Sequence, residues 1–155
     1  MLQTLRIKNL ALVSEISLDL EPGYIALTGE TGAGKSVILG ALNLLVGQRA
    51  DRGAIRSGAD QCQVEALFHL GGPLLGRVNA LLEREGVDLC EEGRLIIRRS
   101  FTTAGANKQF VNGSPTTLAM LGELGGWLVD MHGPNDHHSL LHPSRQLAFL
   151  DAFAK

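Results

Sequence analysis

One octapeptide carries the residue types and the spacing that bind phosphate groups. Residues 29–36 read Gly-Glu-Thr-Gly-Ala-Gly-Lys-Ser and fit the pattern G-x-x-x-x-G-K-[ST] at every fixed position. The glycines let the chain curl, so that successive backbone N–H groups point at phosphate oxygens, and the following helix adds its positive N-terminal end. We expect Lys35 to supply a charge to the outer phosphates and the Ser36 hydroxyl to be a ligand for Mg²⁺. The motif predicts a nucleotide phosphate site.

The segments on either side of the octapeptide fit the context that this motif requires. Residues 24–28 form a short apolar run, which predicts a strand buried on both faces. Residues 35–46 have helical spacing and are apolar nearly all round, so we expect a buried helix with Gly47 as its C-cap. We therefore expect nucleotide contacts from nine consecutive residues: Gly29, Glu30, Thr31, Gly32, Ala33, Gly34, Lys35, Ser36 and Val37.

The rest of the chain predicts an α/β fold whose sheet is mixed but largely antiparallel. Alternation at period two before residue 21 indicates two strands, and Asn112-Gly113 indicates a tight turn. In chain order we then expect a loop over 47–60, a strand over 63–70, a helix over 73–85, a hairpin of 95–100 with 109–111, a helix over 117–124, a strand over 127–129 and a helix from about 143. This last helix reaches Lys155 without a stop signal.

A nucleotide hydrolase also needs an acid that holds Mg²⁺, and one candidate ends a predicted strand. Asp130 follows residues 127–129, and residues 130–133 spell the D-x-x-G of small GTPases. The guanine-reading motif N-K-x-D is not matched, because residues 107–110 read Asn-Lys-Gln-Phe. A self-contained P-loop NTPase that uses Asp130 as its Walker B acid stays open as an alternative.

Several segments in order along the chain resemble one family. They are residues 5–13 (Leu-Arg-Ile-Lys-Asn-Leu-Ala-Leu-Val), the phosphate loop with Thr28, residues 47–51 (Gly-Gln-Arg-Ala-Asp), residues 110–113 (Phe-Val-Asn-Gly) and residues 129–133 (Val-Asp-Met-His-Gly). Together they resemble the bacterial RecN family of DNA-repair proteins, which are SMC-like ATPases with an ABC-type head and a long coiled coil. The phosphate loop alone is shared by very many proteins, whereas the ordered set is specific.

The resemblance implies what this chain does and what it lacks. Residues 1–143 would be the N-terminal lobe of an ATPase head, and residues 144–155 would begin a helix that leads towards the coiled coil. ATP and Mg²⁺ would be bound, and the partners would be the C-terminal lobe, a second head in a homodimer, and DNA in the whole protein. The family's loop after His132-Gly133 usually carries Gln; this chain has none there, so Asn135 or Asp136 would be its substitute. The fragment alone would not hydrolyse ATP.

The nearest neighbouring class is the ABC transporter subunit. Those subunits stack adenine on an aromatic residue upstream of the phosphate loop, and residues 1–23 contain no Phe, Tyr or Trp. The resemblance therefore favours the SMC-like branch over the transporter branch.

Composition excludes several other classes. With 14 basic and 16 acidic side chains the formal net charge is -2, which excludes a uniformly basic protein that coats nucleic acid. Cys62 and Cys90 are not in a ligand spacing, so we expect two reduced thiols. The longest apolar stretch, residues 37–46, is too short to span a membrane, and residues 1–23 do not resemble a signal peptide. We expect a cytoplasmic protein without membrane contact, and the resemblance to the RecN family implies that it associates with the nucleoid.

Weaker signals concern histidine, arginine and aromatic residues. His138 and His142 are four residues apart, a spacing that could place two metal ligands on one helix face, and the other candidate ligands are His132, Asp136 and His137. Pro143 breaks the helix that would align them, so we expect no metal there. We expect Trp127 and Phe101 to pack in the core rather than to stack on bases. Two groups of cations are candidate contacts to DNA or nucleotide phosphates: Arg49, Arg52 and Arg56, and Arg98, Arg99 and Lys108.

Overall fold

The computed structural model describes residues 1–28 and 33–131. The strands are β1 (Leu2–Leu10), β2 (Val13–Asp19), β3 (Gln61–His69), β4 (Arg94–Thr102), β5 (Asn107–Val111) and β6 (Ser114–Pro115). The helices are α1 (Ala33–Leu45), α2 (Gly72–Arg84) and α3 (Leu118–Leu128), with a short 3₁₀ turn at Arg52–Ala54. Within the described residues the strands form one sheet in the order β2-β1-β3-β4-β5-β6. Every pairing in it is antiparallel.

One face of this sheet forms the core. Leu5 of β1 pairs with Ala66 of β3, and Ala66 pairs with Ile97 of β4, so the three side chains point to the same side. All three are fully buried, and the next row along the strands places Arg99 on this same face. Residues of all three helices complete the hydrophobic cluster: Val37, Ala41, Leu44, Leu45, Val78, Leu81, Leu82, Met120, Leu121 and Leu124.

Helix α1, which is apolar nearly all round, is predicted to be buried, and this prediction is wrong for one of its faces. Val37, Ala41 and Leu45 pack into the core, whereas Leu39 is 49 % exposed. No element of the described chain covers the Leu39 side of the helix. Within the residues that the structure describes, one apolar side of α1 therefore packs into the core and the Leu39 side does not.

The C-terminal end of α1 confirms Gly47 as the residue after the helix. Gly47 has φ +91°, its N–H donates to the Leu44 carbonyl, and the Gln48 N–H donates to the Asn43 carbonyl. These two bonds are the Schellman arrangement, which needs a left-handed residue at this position. A Cβ added at Gly47 would also lie 2.7 Å from the Gly122 nitrogen of α3. Glycine is required both by the backbone conformation and by the contact with α3.

The strand predicted over residues 127–129 is wrong, because helix α3 extends to Leu128. The helix begins after Thr117, whose hydroxyl accepts a hydrogen bond from the Met120 N–H, and it continues to Leu128 instead of ending at Leu124. A Cβ at Gly125 would lie 2.4 Å from the Cβ of Val46. Gly125 therefore serves close packing between α3 and the end of α1, and it is not a helix stop. Trp127 lies on the last turn, with the Arg77 guanidinium 4.0 Å from its ring centre.

The strand predicted over residues 24–28 is also wrong for the described chain. These residues pair with no strand there, and Tyr24, Ile25 and Leu27 are 95 %, 45 % and 48 % exposed. An apolar run predicts a strand that is buried between two neighbouring strands. Within the described residues no strand lies beside residues 24–28. Residues 24–28 are instead an exposed apolar segment that directly precedes the phosphate loop in the chain.

Other predicted elements are confirmed with small shifts at their ends. β3 and α2 match the strand and helix expected over 63–70 and 73–85, and β4 pairs with β5 as the expected hairpin. Asn112 and Gly113 have φ +49° and +90°, as a tight turn with two left-handed residues requires. The helix expected from 143 lies outside the described residues. None of the described helices combines the length and the apolar character that a bilayer crossing demands.

Candidate nucleotide site

The predicted phosphate end of the site is the first turn of α1. Gly34, Lys35 and Ser36 are exposed there. Val37 is 7 % exposed and contributes mainly to the core. Residues 29–32 of the predicted contact set lie outside the described residues, so their role stays a prediction.

A groove of about 460 Å³ runs from Ser36 along one side of α1. Three walls form it: one side of α1, the turn between β1 and β2, and the loop that follows Gly47. Its lining consists of Leu10, Ala11, Leu12, Ser36, Val37, Gly40, Asn43, Leu44, Gln48, Arg49, Asp51 and Ala54. The lining is largely apolar with a few polar groups near its ends, a composition that small-molecule sites share.

Backbone hydrogen bonds hold the β1–β2 turn against the loop. The Ala11 N–H donates to the Ala54 carbonyl over 2.7 Å, and the Arg56 N–H donates to the Asn9 carbonyl over 3.0 Å. The Arg56 guanidinium also donates to the Leu12 carbonyl. Arg56 is therefore a structural brace of this wall, and its predicted contact to a phosphate is not supported by its position.

Arg99 fixes the opposite end of the loop from inside the protein. Its Nη1 donates to the carbonyls of Leu44, over 2.8 Å, and of Gln48. Its Nε lies 3.4 Å from the Oδ1 of Asn107. Arg99 is 0 % exposed, and burial lowers the pKa of its guanidinium. The predicted direct contact of Arg99 with DNA or nucleotide is therefore wrong, because β4 alternates and turns this side chain inward with Ile97 and Phe101.

The other predicted cations are on the surface. Arg49 is exposed and lines the groove, and Arg52 is exposed on the 3₁₀ turn. Arg98 and Lys108 lie on the outward face of the sheet, where the Arg98 guanidinium is 4.9 Å from the centre of the Phe110 ring. The candidates thus divide between the groove and the far face of the sheet, and no single basic patch joins them.

The remaining candidates are acidic, amide and histidine residues near and beyond the end of helix α3. Asp130 is exposed and follows helix α3, so it does not end a buried strand as a Walker B acid does. Asn135, Asp136 and the histidines from His132 onward lie outside the described residues. Within 1–28 and 33–131, no cluster of three or more His, Cys, Asp or Glu side chains is placed to hold a metal ion.

Both cysteines are free thiols, and both are shielded. Cys62 is 0 % exposed on the inward face of β3, and burial raises the pKa of its thiol to about 11. Cys90 is half-buried, and burial raises its thiol pKa although the Asn112 side chain partly opposes this effect.

Among the groove walls, Leu10–Leu12 and Gln48 were not predicted as site residues, whereas Arg49 was a candidate phosphate contact. Their side chains follow no periodicity, and what brings them to Ser36 is the long-range pairing of β1 with β3. For Arg99 the sequence did hold a usable signal, since Leu95, Ile97, Arg99 and Phe101 share one phase of the alternation. An arginine in that phase points into the core.

Comparison with known proteins agrees with this geometry. A family model described as an AAA domain matches residues 4–120. The DNA repair protein RecN of Vibrio cholerae is 42 % identical over 99 % of this chain, and RecN of Bacillus subtilis is 40 % identical over 99 %. The chain spans about a quarter of the length of these relatives, 27 % and 26 %.

Solved structures show the same fold. One chain, from work on ATP-driven dimerization and DNA stimulated activation of SMC ATPases, superposes with a TM-score of 0.64 at 20 % identity. The match covers 96 % of this chain and 90 % of that chain. The sheet and the helix that follows the phosphate loop, together with these matches, confirm the α/β P-loop fold and the RecN resemblance. The chain belongs to the AAA domain family, and over nearly its whole length it is similar to part of the DNA repair protein RecN.

Proposed function

We propose that this chain is the ATP-binding half of an SMC-like ATPase head that acts in DNA double-strand break repair and recombination. The observation that carries the proposal is the exposed first turn of α1, where Ser36 lines the groove and Lys35 precedes it in the chain. The triphosphate would lie at this turn, and the nucleoside would lie in the apolar groove between α1 and the β1–β2 turn. The relatives at about 40 % identity are named as DNA repair proteins, which supports the role in repair.

The residues present fit a magnesium ion at the phosphate end. The Ser36 hydroxyl is exposed beside the groove, and hydroxyl and phosphate oxygens are the ligands that Mg²⁺ prefers. When bound, the ion would neutralise charge on the outer phosphates. Lys35 would hold the same phosphates by charge, and the apolar groove walls would orient the nucleoside and exclude water from it.

Two partners would complete the head. The exposed apolar residues Tyr24, Ile25, Leu27 and Leu39 lie on both sides of the phosphate loop, and a C-terminal lobe that covers them would bury them. A second head would close over the nucleotide, so that ATP acts as a clamp in a homodimer and tethers DNA. In this arrangement Asn135 or Asp136 would take the place of the Gln that the family usually carries. The protein would act at the nucleoid.

The alternative of a self-contained NTPase loses its structural basis. It required residues 127–129 to form a strand with Asp130 at its end, and these residues instead close helix α3. The outward cations Arg98 and Lys108 remain candidates for DNA contact in the whole protein, whereas Arg49 faces the nucleotide groove.

Calorimetric titration with ATP and Mg²⁺ tests the nucleotide site. A charge-assisted hydrogen bond contributes about 1.5–3 kcal/mol, so Lys35→Ala should weaken binding by roughly 10- to 150-fold. Lys108→Ala is the matched control, because Lys108 is an exposed lysine on the far face of the sheet. An unchanged affinity in Lys35→Ala, or an equal loss in both variants, would contradict the site.

A further inference from the structure

The proposed function leaves one buried cation without a role. Arg99 is fully buried, and no carboxylate pairs with it in the part of the chain that the structure describes. Within residues 1–28 and 33–131 its Nη2 has no hydrogen-bond partner, and the same holds for the Oε1 of Gln109, which is its direct neighbour across the β4–β5 pair. A buried guanidinium is costly unless something compensates it. Its position therefore calls for a reason beyond packing.

The compensation comes from the end of helix α1. The Leu44 carbonyl lies in the last turn of α1, where the helix dipole is negative, and it also accepts the Gly47 N–H; the Gln48 carbonyl follows shortly after the helix. The Nη1 of Arg99 donates to both carbonyls, so Arg99 holds the Schellman turn at Gly47 from the core side. This ties β4 to the last turn of the helix whose first turn carries Lys35 and Ser36.

The same bond reaches the groove wall. Gln48 and Arg49 line the groove together with the β1–β2 turn, and the carbonyl that Arg99 holds belongs to Gln48. The far end of this loop is held by the 3₁₀ turn and by Arg56. Between the Schellman turn and Asp51, the described hydrogen bond from outside the loop comes from Arg99, and Ala50 packs against the core.

We propose that Arg99 is a positioning residue for the nucleoside half of the nucleotide: it does not touch the ligand, but it fixes the Gln48–Asp51 wall against which the nucleoside packs. This inference rests on the proposed function. It assigns the triphosphate to the first turn of α1 and the nucleoside to the groove, so the two parts of the ligand should respond differently when Arg99 changes.

The test compares ATP with inorganic tripolyphosphate, both with Mg²⁺, by calorimetric titration of the protein. Tripolyphosphate engages only the first turn of α1 and its loop, whereas ATP also engages the groove. Arg99→Met should lower the affinity for ATP by about tenfold, the equivalent of one buried charge-assisted hydrogen bond, and leave the affinity for tripolyphosphate unchanged. Arg99→Lys, which keeps a donor, should recover part of the loss.

Ile97→Ala is the matched control, since Ile97 is buried on the same strand face two residues away and does not bind the loop. It should lower the melting temperature without changing the ratio of the two affinities. Asn107→Ala, on the surface, removes the Nε partner of Arg99 and should shift the ratio in the same direction by a smaller factor, which keeps the test decisive if Arg99→Met does not fold.

The outcomes separate the two proposals. A ratio that falls in Arg99→Met and in Asn107→Ala but not in Ile97→Ala supports the positioning role. A lower melting temperature with an unchanged ratio, or an equal loss for both ligands, overturns it and leaves the nucleotide site intact. If the wild type binds ATP no better than tripolyphosphate, the groove does not hold the nucleoside and both the inference and that part of the proposed function are wrong. If Lys35→Ala binds both ligands like the wild type, the phosphate site itself fails.

Discussion

Among single residues, the two cysteines show how burial sets reactivity. The thiolate is the reactive form, and a thiol pKa of about 11 leaves Cys62 protonated at pH 8. We expect iodoacetamide to leave Cys62 unmodified in the folded chain at pH 8, and to modify Cys90 more slowly than a free thiol. Mass spectrometry of alkylated peptides measures both rates, with the same chain in urea as the control. Rapid alkylation of Cys62 in the folded chain would show that the core opens.

The raised pKa of Cys62 also carries a pH dependence of stability. Folding favours the neutral thiol, so its contribution is fully present below the ordinary thiol pKa and is lost as the pH rises towards about 11. The free energy of unfolding should fall between about pH 8.5 and pH 11, and Cys62→Ala should remove this component. Urea titrations at several pH values measure it. A slope that is identical in Cys62→Ala would assign the effect to other groups.

Among the elements, the junction of α1 and α3 depends on glycine. Gly47→Ala would force a side chain into a left-handed conformation and against the backbone of Leu118 and Gly122, so we expect a loss of at least about 1–2 kcal/mol. Thermal or urea unfolding measures the change.

Gly76→Ala is the matched control for this junction. Gly76 is exposed within α2, and a Cβ there meets no atom within 4 Å. Because glycine lowers helix stability relative to alanine, this variant should gain roughly 0.5–1 kcal/mol. Opposite signs at two helix-associated glycines would confirm that contact and φ decide the outcome. A neutral Gly47→Ala would contradict the close approach of α3.

Local patterns were sufficient for elements whose burial is decided by near neighbours. The spacing of α2, the β4–β5 hairpin and the Asn112-Gly113 turn could each be predicted from a few adjacent residues. Residues 24–28 and 127–129 could not, because an apolar run does not say whether its partner is another strand, another helix or a surface outside the described chain. The phosphate end of the site stays a prediction from its motif, whereas the groove walls depend on tertiary pairing.

For the whole molecule, the main expectation is that this chain alone does not turn over ATP. Phosphoryl transfer needs an in-line water, a correctly held Mg²⁺ and stabilised charge on the transferred phosphate at once. Lys35 and Ser36 supply part of this, and Asp130 does not end a buried strand beside them. Phosphate release should therefore be near background for the purified chain and rise by orders of magnitude when the C-terminal lobe is added.

Lys35→Ala is the control for that assay, and it should abolish the gain. A variant with Tyr24→Ser and Leu27→Ser should also lose much of the gain while it keeps the melting temperature of the chain, because both side chains are already exposed. Substantial hydrolysis by the chain alone that depends on Lys35 would favour a self-contained NTPase.

The place of β1 in the sheet has a consequence for how the chain is made. β1 pairs with β2 on one edge and with β3 on the other, and β3 begins about 40 residues after β2 ends. A ribosome adds about 5–20 residues per second, so the edge of β1 that later pairs with β3 stays unpaired for roughly 2 to 8 seconds while α1 and its loop are synthesised. During that interval the hairpin is the segment most exposed to intermolecular strand pairing. Charged side chains at Arg6, Lys8 and Glu15 on its outward face are suited to keep such an edge soluble until β3 arrives.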